Sequence, residues 1–236
     1  MAKQLTIGLI LPDVLGTYGD DGNALVLRQR ARMRGLDAAI RPFLLTDEIT
    51  ADCDVYTLGG GEDSAQVLAA ERLKASPGLQ RAADNGTPIL AICAGLQVLG
   101  HSFNAAGRSV EGISLIDATT TPLSTRAIGE VTTTPATDLL TEPLTGFENH
   151  MGGTVLGPDA QPLGRVTRGV GNLDSTVEGA VQGSVIATYM HGPALARNPQ
   201  LADLILAQAM GIALADLEPR ELPEIDRLRL ERMDGR

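Results

Sequence analysis

Three apolar runs, each followed by a segment with helical spacing, constrain the fold of this chain more than any other feature. The runs span 5–11, 54–58 and 88–92, and the helical segments lie near 22–34, 63–84 and 94–105. Alternation of buried strands with helices is typical of a parallel sheet that helices cover on both faces. The pattern predicts a doubly wound α/β domain with a mostly parallel sheet.

The residue pattern changes between about 110 and 190, where short Thr-, Val- and Gly-rich stretches are separated by Gly and Pro. We predict that this region completes the same sheet and adds antiparallel edge strands. Residues 198–211 combine Asn-Pro at the start with Gly211 at the end, which predicts a helix. We therefore expect one domain over 1–215 and a charged C-terminal tail over 216–236, either docked on a partner or solvated.

Composition excludes several classes of function. The 236 residues include 19 basic and 29 acidic side chains, a formal charge of −10, which disfavours a surface that tracks nucleic acid phosphates. The first apolar stretch ends at Pro12 and is too short for a signal peptide core or a membrane span, so we expect a cytoplasmic protein. With only two cysteines, Cys53 and Cys93, a disulfide scaffold is not expected, and each cysteine is interpreted singly.

Cys93 lies between a buried strand ending at Ile92 and a helix that opens with Ala94 and Gly95. This arrangement is typical of a nucleophile elbow, in which a tight turn lifts the side chain out of the core. The helix N-terminus favours the thiolate, which is the reactive form. The alternative is a small buried apolar residue, the commoner role of a lone cysteine. We predict that Cys93 is a nucleophile.

A glycine-rich loop follows another strand in "TLGGGEDSAQ", residues 57–66. An elbow cysteine that attacks a carbonyl needs an oxyanion hole, and we predict that Gly60, Gly61 and the N–H of Ala94 form it. The alternative is a structural or phosphate-binding turn. The only lysines are Lys3 and Lys74, and no GxxxxGK motif follows, so ATP binding by a P-loop is not expected.

The chain has three histidines, and one of them follows an apolar strand directly. In "SVIATYMHGP" His191 is predicted to emerge at the carboxyl edge of the sheet and to act as the base for Cys93. We expect His101 and His150 to pack or form hydrogen bonds instead. Gln97 lies one helical turn after Cys93, where it would hold a polar substrate unless it is an ordinary surface glutamine.

Together, "GGGED", "CAGLQVLG" and a late histidine after a strand resemble the class I glutamine amidotransferases, which have a flavodoxin-like fold. Most members of that family carry Glu two residues after the histidine, but this chain has Pro193 there, and the branch resembling cobyric acid synthase also lacks that Glu. "YGDDGN" and "GFENHMGG" also fit that branch. The whole set, covering about residues 5 to 212, is most similar to the glutaminase subunits of lipid II isoglutaminyl synthases.

This resemblance implies hydrolysis of L-glutamine through a cysteine thioester and delivery of ammonia to a Mur-ligase-like subunit of the MurT type. That partner would bind ATP and lipid II and amidate the α-carboxyl of the stem-peptide D-glutamate in peptidoglycan synthesis; no cofactor or metal is expected in this chain. The resemblance also implies that Arg126, in "TRAIGE", binds the α-carboxylate of glutamine, the alternative being a surface arginine.

The place of Pro193 leaves His191 without the carboxylate that relatives keep. The acceptor would come from another acidic residue of this chain or from the partner, and we expect the partner. Asp20 and Asn23 are expected to shape a loop or an interface. Rival hypotheses are an amidotransferase of another pathway related to cobyric acid synthase, a DJ-1-like or peptidase-like cysteine hydrolase, and a binding subunit without catalysis.

Overall fold

The computed structural model describes residues 4–220 and 222–233, and within them the strands form two sheets. In chain order the strands are β1 (Leu5–Ile10), β2 (Ala38–Phe43), β3 (Val55–Leu58), β4 (Ile89–Ile92), β5 (Ser102–Ala105), β6 (Arg108–Glu111), β7 (Ala118–Pro135), β8 (Leu144–Leu156), β9 (Gly164–Arg168), β10 (Val177–Glu178), β11 (Ala180–Gln182) and β12 (Val185–Thr188). The helices are α1 (Gly22–Arg32), α2 (Asp63–Ala75), α3 (Gly78–Asp84), α4 (Ala94–Leu99), α5 (Ala194–Arg197), α6 (Pro199–Met210) and α7 (Pro223–Met233), with a 3-10 helix at Leu214–Asp216.

The first sheet has the strand order β11-β12-β4-β3-β1-β2, and its neighbours pair in parallel except for the antiparallel edge strand β11. Every residue of β3, β4 and β12 is buried, as is typical of central parallel strands covered by helices. The predicted α/β fold is therefore confirmed. The carboxyl ends of β1, β3, β4 and β12 lie along one edge, where open α/β sheets bind ligands.

The second sheet departs from the prediction that 110–190 continues the first one. It has the order β10-β9-β7-β5-β6, with β8 paired to β7 in a long antiparallel hairpin. Only β11 and β12, residues 180–188, join the first sheet. Along β8 the side chains alternate, so that Glu148 and His150 are buried while Phe147 and Met151 are exposed. This period of two places one face of the hairpin against the active site.

Helix α1 is fastened to α6 by a buried ion cluster. Arg30 donates two hydrogen bonds to Asp203, at 2.7 and 2.6 Å, and Arg34 donates one at 2.9 Å. Bidentate pairing of arginine with a carboxylate fixes geometry as well as charge. The loop before α1 is thereby held at the carboxyl edge of the first sheet.

The predicted helix over 198–211 is present as α6, with Pro199 at its first turn and Gly211 in the left-handed region at φ 69°. The division into 1–215 and 216–236 stays a prediction, and Glu221 and residues 1–3 and 234–236 lie outside the described chain. Within the tail, α7 buries no residue completely, but Arg229 donates hydrogen bonds to Glu142 and to the Pro143 carbonyl. No helix in the described ranges is long and apolar enough to cross a bilayer.

Candidate active site

Cys93 occupies the turn between β4 and α4 in a strained conformation, with φ 52° and ψ −104°. A non-glycine residue at positive φ is uncommon, and such strain concentrates at functional sites. Its N–H donates to the Thr188 carbonyl at 2.8 Å, which ties the elbow to the end of β12. A side chain at Gly95 would begin 3.1 Å from Leu58 Cγ and 3.2 Å from the Gly59 carbonyl oxygen, so the small residue permits the tight turn. The predicted elbow is present.

His191 lies just beyond β12 and is held by two backbone hydrogen bonds with Phe147, at 2.9 and 3.2 Å. Its Nδ1 is 3.0 Å from Asp20 Oδ2 and 3.1 Å from Oδ1, and the ring is buried. A carboxylate only accepts, so Nδ1 carries the proton and Nε2 is left to exchange a proton with Cys93. No hydrogen bond to the buried Nε2 is found in the described chain.

Burial favours the neutral form of His191, but the hydrogen bond to Asp20 and the charges of the Asp20 and Cys93 side chains outweigh burial. Together they raise the pKa of His191 from its usual 6.5 to about 10. The side chain is therefore an imidazolium near neutral pH, facing a carboxylate on one nitrogen. Such a pair holds on the imidazole the proton that a leaving amine needs.

Asp20 supplies an acceptor for His191 within this chain, so the expectation that the partner supplies it is wrong, and Asp20 does more than shape a loop. Its Oδ2 also accepts the Gly60 N–H at 2.9 Å, and its carboxylate is buried. A side chain at Gly22 would clash with Pro193 Cγ, so the Asp20 loop passes directly against Pro193.

Asn23 confirms its predicted structural role. Its Nδ2 donates to the Asp20 carbonyl at 2.9 Å, and its Oδ1 accepts the Leu195 N–H at the same distance. These two contacts join the acid-bearing loop to the segment that follows His191.

The predicted oxyanion hole is altered at one position. The Gly60 N–H is already donated to Asp20, so Gly60 positions the acid and the prediction that it binds an oxyanion is wrong. Gly61 lines the pocket beside Cys93, and Ala94 begins α4, where the backbone N–H groups lack intrahelical acceptors. Gly61 and Ala94 stay as the predicted donors.

A cavity of about 270 Å³ opens beside Cys93. This volume is just below the range of about 300 Å³ and more that holds drug-sized ligands, and it suits a small metabolite. Gln97 and Arg126 both line it, as predicted for substrate-binding residues. Gln97 is only 4% exposed, with Nε2 3.4 Å from Tyr189 Oη, which excludes the surface alternative; the roles of both residues remain predictions.

The other two histidines make the structural contacts that we expected. His101 is exposed and bonded to Ser114 and Asp117, each at 3.0 Å. His150 is buried, with Nδ1 2.8 Å from the Gly152 carbonyl and its ring stacked on Tyr189 at 3.7 Å. Across the described ranges, no group of three His, Cys, Asp or Glu side chains is arranged to hold a metal ion.

The sequence analysis did not identify Asp20 as the partner of His191. It also did not identify Tyr18 and Asn149, which both line the cavity. One signal for Asp20 was available, since it follows β1, whose carboxyl end lies on the same edge as those of β3, β4 and β12. The adjacent Asp21 offered an equal candidate, and only the contacts distinguish the two. No sequence pattern singles out Tyr18 or Asn149.

A family model for the CobB/CobQ-like glutamine amidotransferase domain matches residues 6–199. The chain is 36% identical over 223 residues to lipid II isoglutaminyl synthase (glutamine-hydrolyzing) subunit GatD of Staphylococcus aureus, covering 93% of this chain and 90% of that protein. It is 34% identical over 212 residues to the subunit of the same name from Streptococcus pneumoniae, covering 88% and 81%.

More distant similarities agree with these. Cobyric acid synthase of Sphingopyxis alaskensis is 33% identical over 174 residues, which are 70% of this chain and 33% of that protein. A crystal structure of a glutamine amidotransferase from Thermotoga maritima superposes with a TM-score of 0.56 at 16% identity, covering 98% of this chain and 94% of the other. At that identity the likeness concerns the fold.

Proposed function

Because the chain belongs to the CobB/CobQ-like glutamine amidotransferases, we propose that it is a glutaminase subunit that releases ammonia from glutamine for a lipid II isoglutaminyl synthase. The observation that carries the proposal is the order of groups along the carboxyl edge of the first sheet. Cys93 lines a cavity whose wall includes Gln97 and Arg126, and behind Cys93 the His191 ring is hydrogen-bonded to Asp20.

In the first half of the reaction the Cys93 thiolate attacks the side-chain amide carbon of glutamine, forming a C–S bond. The Gly61 and Ala94 N–H groups stabilise the oxyanion. His191 gives its Nε2 proton to the nitrogen as the C–N bond breaks, so ammonia leaves and a γ-glutamyl thioester remains. Asp20 keeps the imidazole in the tautomer that this transfer requires.

In the second half, water attacks the thioester while His191 takes its proton. The C–S bond breaks, glutamate departs and the thiolate–imidazolium pair is restored, so glutamine and water become glutamate and ammonia. The Arg126 guanidinium matches the α-carboxylate in charge and shape, and Gln97 offers an amide to the polar groups of the substrate.

The relatives named as synthase subunits support a complex with a second chain. We propose that this partner is a Mur-ligase-like subunit of the MurT type, which binds ATP and lipid II and uses the ammonia to amidate the D-glutamate α-carboxyl in the cytoplasm. This chain has no P-loop lysine, consistent with nucleotide binding by the partner. The similarity to cobyric acid synthase favours, as second candidate, an amidotransferase of another pathway.

The chemistry is tested by labelling the purified chain with a glutamine-analogue electrophile and by measuring glutamate release. We expect covalent mass at Cys93 and complete loss of glutaminase activity in Cys93→Ala, because no other thiol lies in the cavity. Cys53→Ala is the matched control: this thiol is buried away from the cavity, and burial raises its pKa, so labelling and turnover should persist. Parent-rate glutamate release by Cys93→Ala would refute the nucleophile.

The pathway is tested with the protein that co-purifies with this chain. We expect an ATP-dependent ligase that amidates lipid II with glutamine, and the complex with Cys93→Ala should do so only with added ammonium salt. Amidation of a corrinoid acid in place of lipid II would select the second candidate.

A further inference from the structure

A chain of polar contacts crosses the mouth of the cavity from the predicted carboxylate-binding arginine to the catalytic histidine. Arg126 Nη1 donates to Asn149 Oδ1 at 2.8 Å, and Asn149 Nδ2 donates to Tyr18 Oη at 3.0 Å. The Tyr18 ring then packs on the His191 ring, with centroids 4.8 Å apart and planes tilted by 52°. Arg126, Asn149 and Tyr18 all line the cavity.

The two neighbours of Asn149 dictate the orientation of its amide. A guanidinium only donates hydrogen bonds, so the amide oxygen must face Arg126. The amide nitrogen is thereby directed to Tyr18, whose hydroxyl accepts. A side chain that offers only acceptors or only donors would lose one of these two contacts.

Arg126 needs such support because its own backbone does not hold it. The pairing of β7 with β8 is irregular between Pro122 and Ala127, and the Arg126 side chain is exposed. Asn149 instead sits in the regular part of the ladder, directly opposite Ile128. The long, flexible Arg126 side chain is therefore held by the short Asn149 side chain, whose backbone is fixed in the ladder.

The backbone and exposure of Tyr18 also indicate that its position is used by the site. Its backbone lies in the left-handed region at φ 67°, and 48% of the residue is exposed. An exposed aromatic residue at positive φ is a costly arrangement unless its placement has a use. It lies two positions before Asp20, so one loop brings both the ring and the carboxylate to His191.

We propose that Asn149 and Tyr18 are positioning residues that hold the Arg126 guanidinium for the α-carboxylate of the substrate and so select free glutamine over amides that lack this group. The proposal rests on the proposed glutaminase function. The tyrosine hydroxyl serves Asn149, while the tyrosine ring covers His191 and links the carboxylate end of the site to the reacting end.

The test compares steady-state hydrolysis of L-glutamine with that of L-glutamine α-amide, whose α-carboxylate is replaced by a neutral carboxamide. For Asn149→Ala we expect the glutamine KM to rise about three- to tenfold, the effect of one lost hydrogen bond, with kcat nearly unchanged. Its kcat/KM for the α-amide should stay at the parent value. Adding Arg126→Ala to Asn149→Ala should give no more loss than Arg126→Ala alone, since both act on one contact.

Tyr18→Phe and Tyr18→Ala separate the hydroxyl from the ring. Tyr18→Phe should raise only the glutamine KM, whereas Tyr18→Ala should also lower kcat for both substrates and shift the pH profile of kcat/KM. Val155→Ala, an exposed change outside the cavity on β8, the strand that carries Asn149, is the control and should match the parent.

Equal losses of kcat/KM for glutamine and the α-amide in Asn149→Ala and Tyr18→Phe would overturn the proposal, because they would indicate a merely structural role. An unchanged glutamine KM in both variants would overturn it as well. Failure of the parent chain and its complex to hydrolyse either substrate would instead refute the proposed function itself.

Discussion

At the residue scale, the carboxylate of Asp20 governs the protonation of His191. Its Oδ2 accepts hydrogen bonds from both His191 Nδ1, at 3.0 Å, and the Gly60 N–H, at 2.9 Å. Asparagine at this position keeps the shape but loses the charge, and its NH₂ group must face one of these two donors. Part of the stabilisation of protonated His191 therefore requires the negative charge of Asp20.

Asp20→Asn should lower kcat by several orders of magnitude, with an upper bound of about 10⁴, the loss known for the asparagine change in a serine protease triad. The pKa of His191 should fall, because the hydrogen bond and charge of Asp20 help to raise it to about 10. The alkaline limb of the kcat/KM profile, which reports loss of the imidazolium, should therefore move to lower pH. Asp21→Asn changes a neighbouring carboxyl without contact to His191 and is the control.

The pH dependence of the free energy of unfolding should also change in Asp20→Asn. A histidine whose pKa is higher in the folded chain stabilises the fold fully below about 6.5, and this contribution is lost as pH rises toward about 10. The part of the free energy of unfolding that declines between these values should shrink in Asp20→Asn. Urea titrations across this range measure it, and an unaltered pH dependence of both activity and stability would contradict the assignment.

The outcome for single residues reflects how local the sequence signals are. Cys93 was predictable because strand, small residues and helix are contiguous, and His191 because it follows an apolar strand. Asp20 was not, since its contacts with His191 and Gly60 arise only when loops after different strands meet. The same meeting removes Gly60 from the oxyanion hole.

At the element scale, the hairpin β7–β8 explains why the second half of the chain was harder to interpret. Gly152 and Gly153 resemble a turn in the sequence, yet they lie inside β8. A side chain at Gly152 would begin 2.4 Å from Gln97 Nε2 and 2.9 Å from Tyr189 Oη. The glycine is there because the strand passes directly against the floor of the cavity, which composition alone does not reveal.

Gly152→Ala should therefore displace Gln97 and disturb the cavity. We expect a loss of about 1–3 kcal/mol in the free energy of unfolding, as for overpacking of a well-packed interior, together with a higher KM for glutamine. Urea unfolding and steady-state kinetics measure the two effects, with Val155→Ala on the same strand as the control. A variant as stable and active as the parent would contradict this prediction, because it would show that the residues around Gly152 move aside at no cost.

At the scale of the whole molecule, the described chain brings the proposed nucleophile Cys93, the proposed base His191 and the Asp20 carboxylate together without another subunit. Contacts from four separate segments, after β1, β3, β4 and β12, converge on these groups at one edge of the sheet. A partner is still expected to take up the ammonia, and we propose that Asp20 of this chain, and not the partner, supplies the acid of the triad. The partner should instead influence how glutamine hydrolysis is coupled to the amidation reaction.

We therefore expect the isolated chain to hydrolyse glutamine with a kcat within about tenfold of the complex, far less than the roughly 10⁴-fold effect of disabling a triad carboxylate. The reason is that Asp20 is already buried against His191. The measurement is glutamate release by the chain alone and with its partner, for the parent and for Asp20→Asn. Activation by a thousandfold or more on mixing, with Asp20→Asn as active as the parent in the complex, would assign the acid to the partner. Asp20→Asn should instead be impaired in both states, because the same carboxylate serves the histidine whether or not the partner is bound.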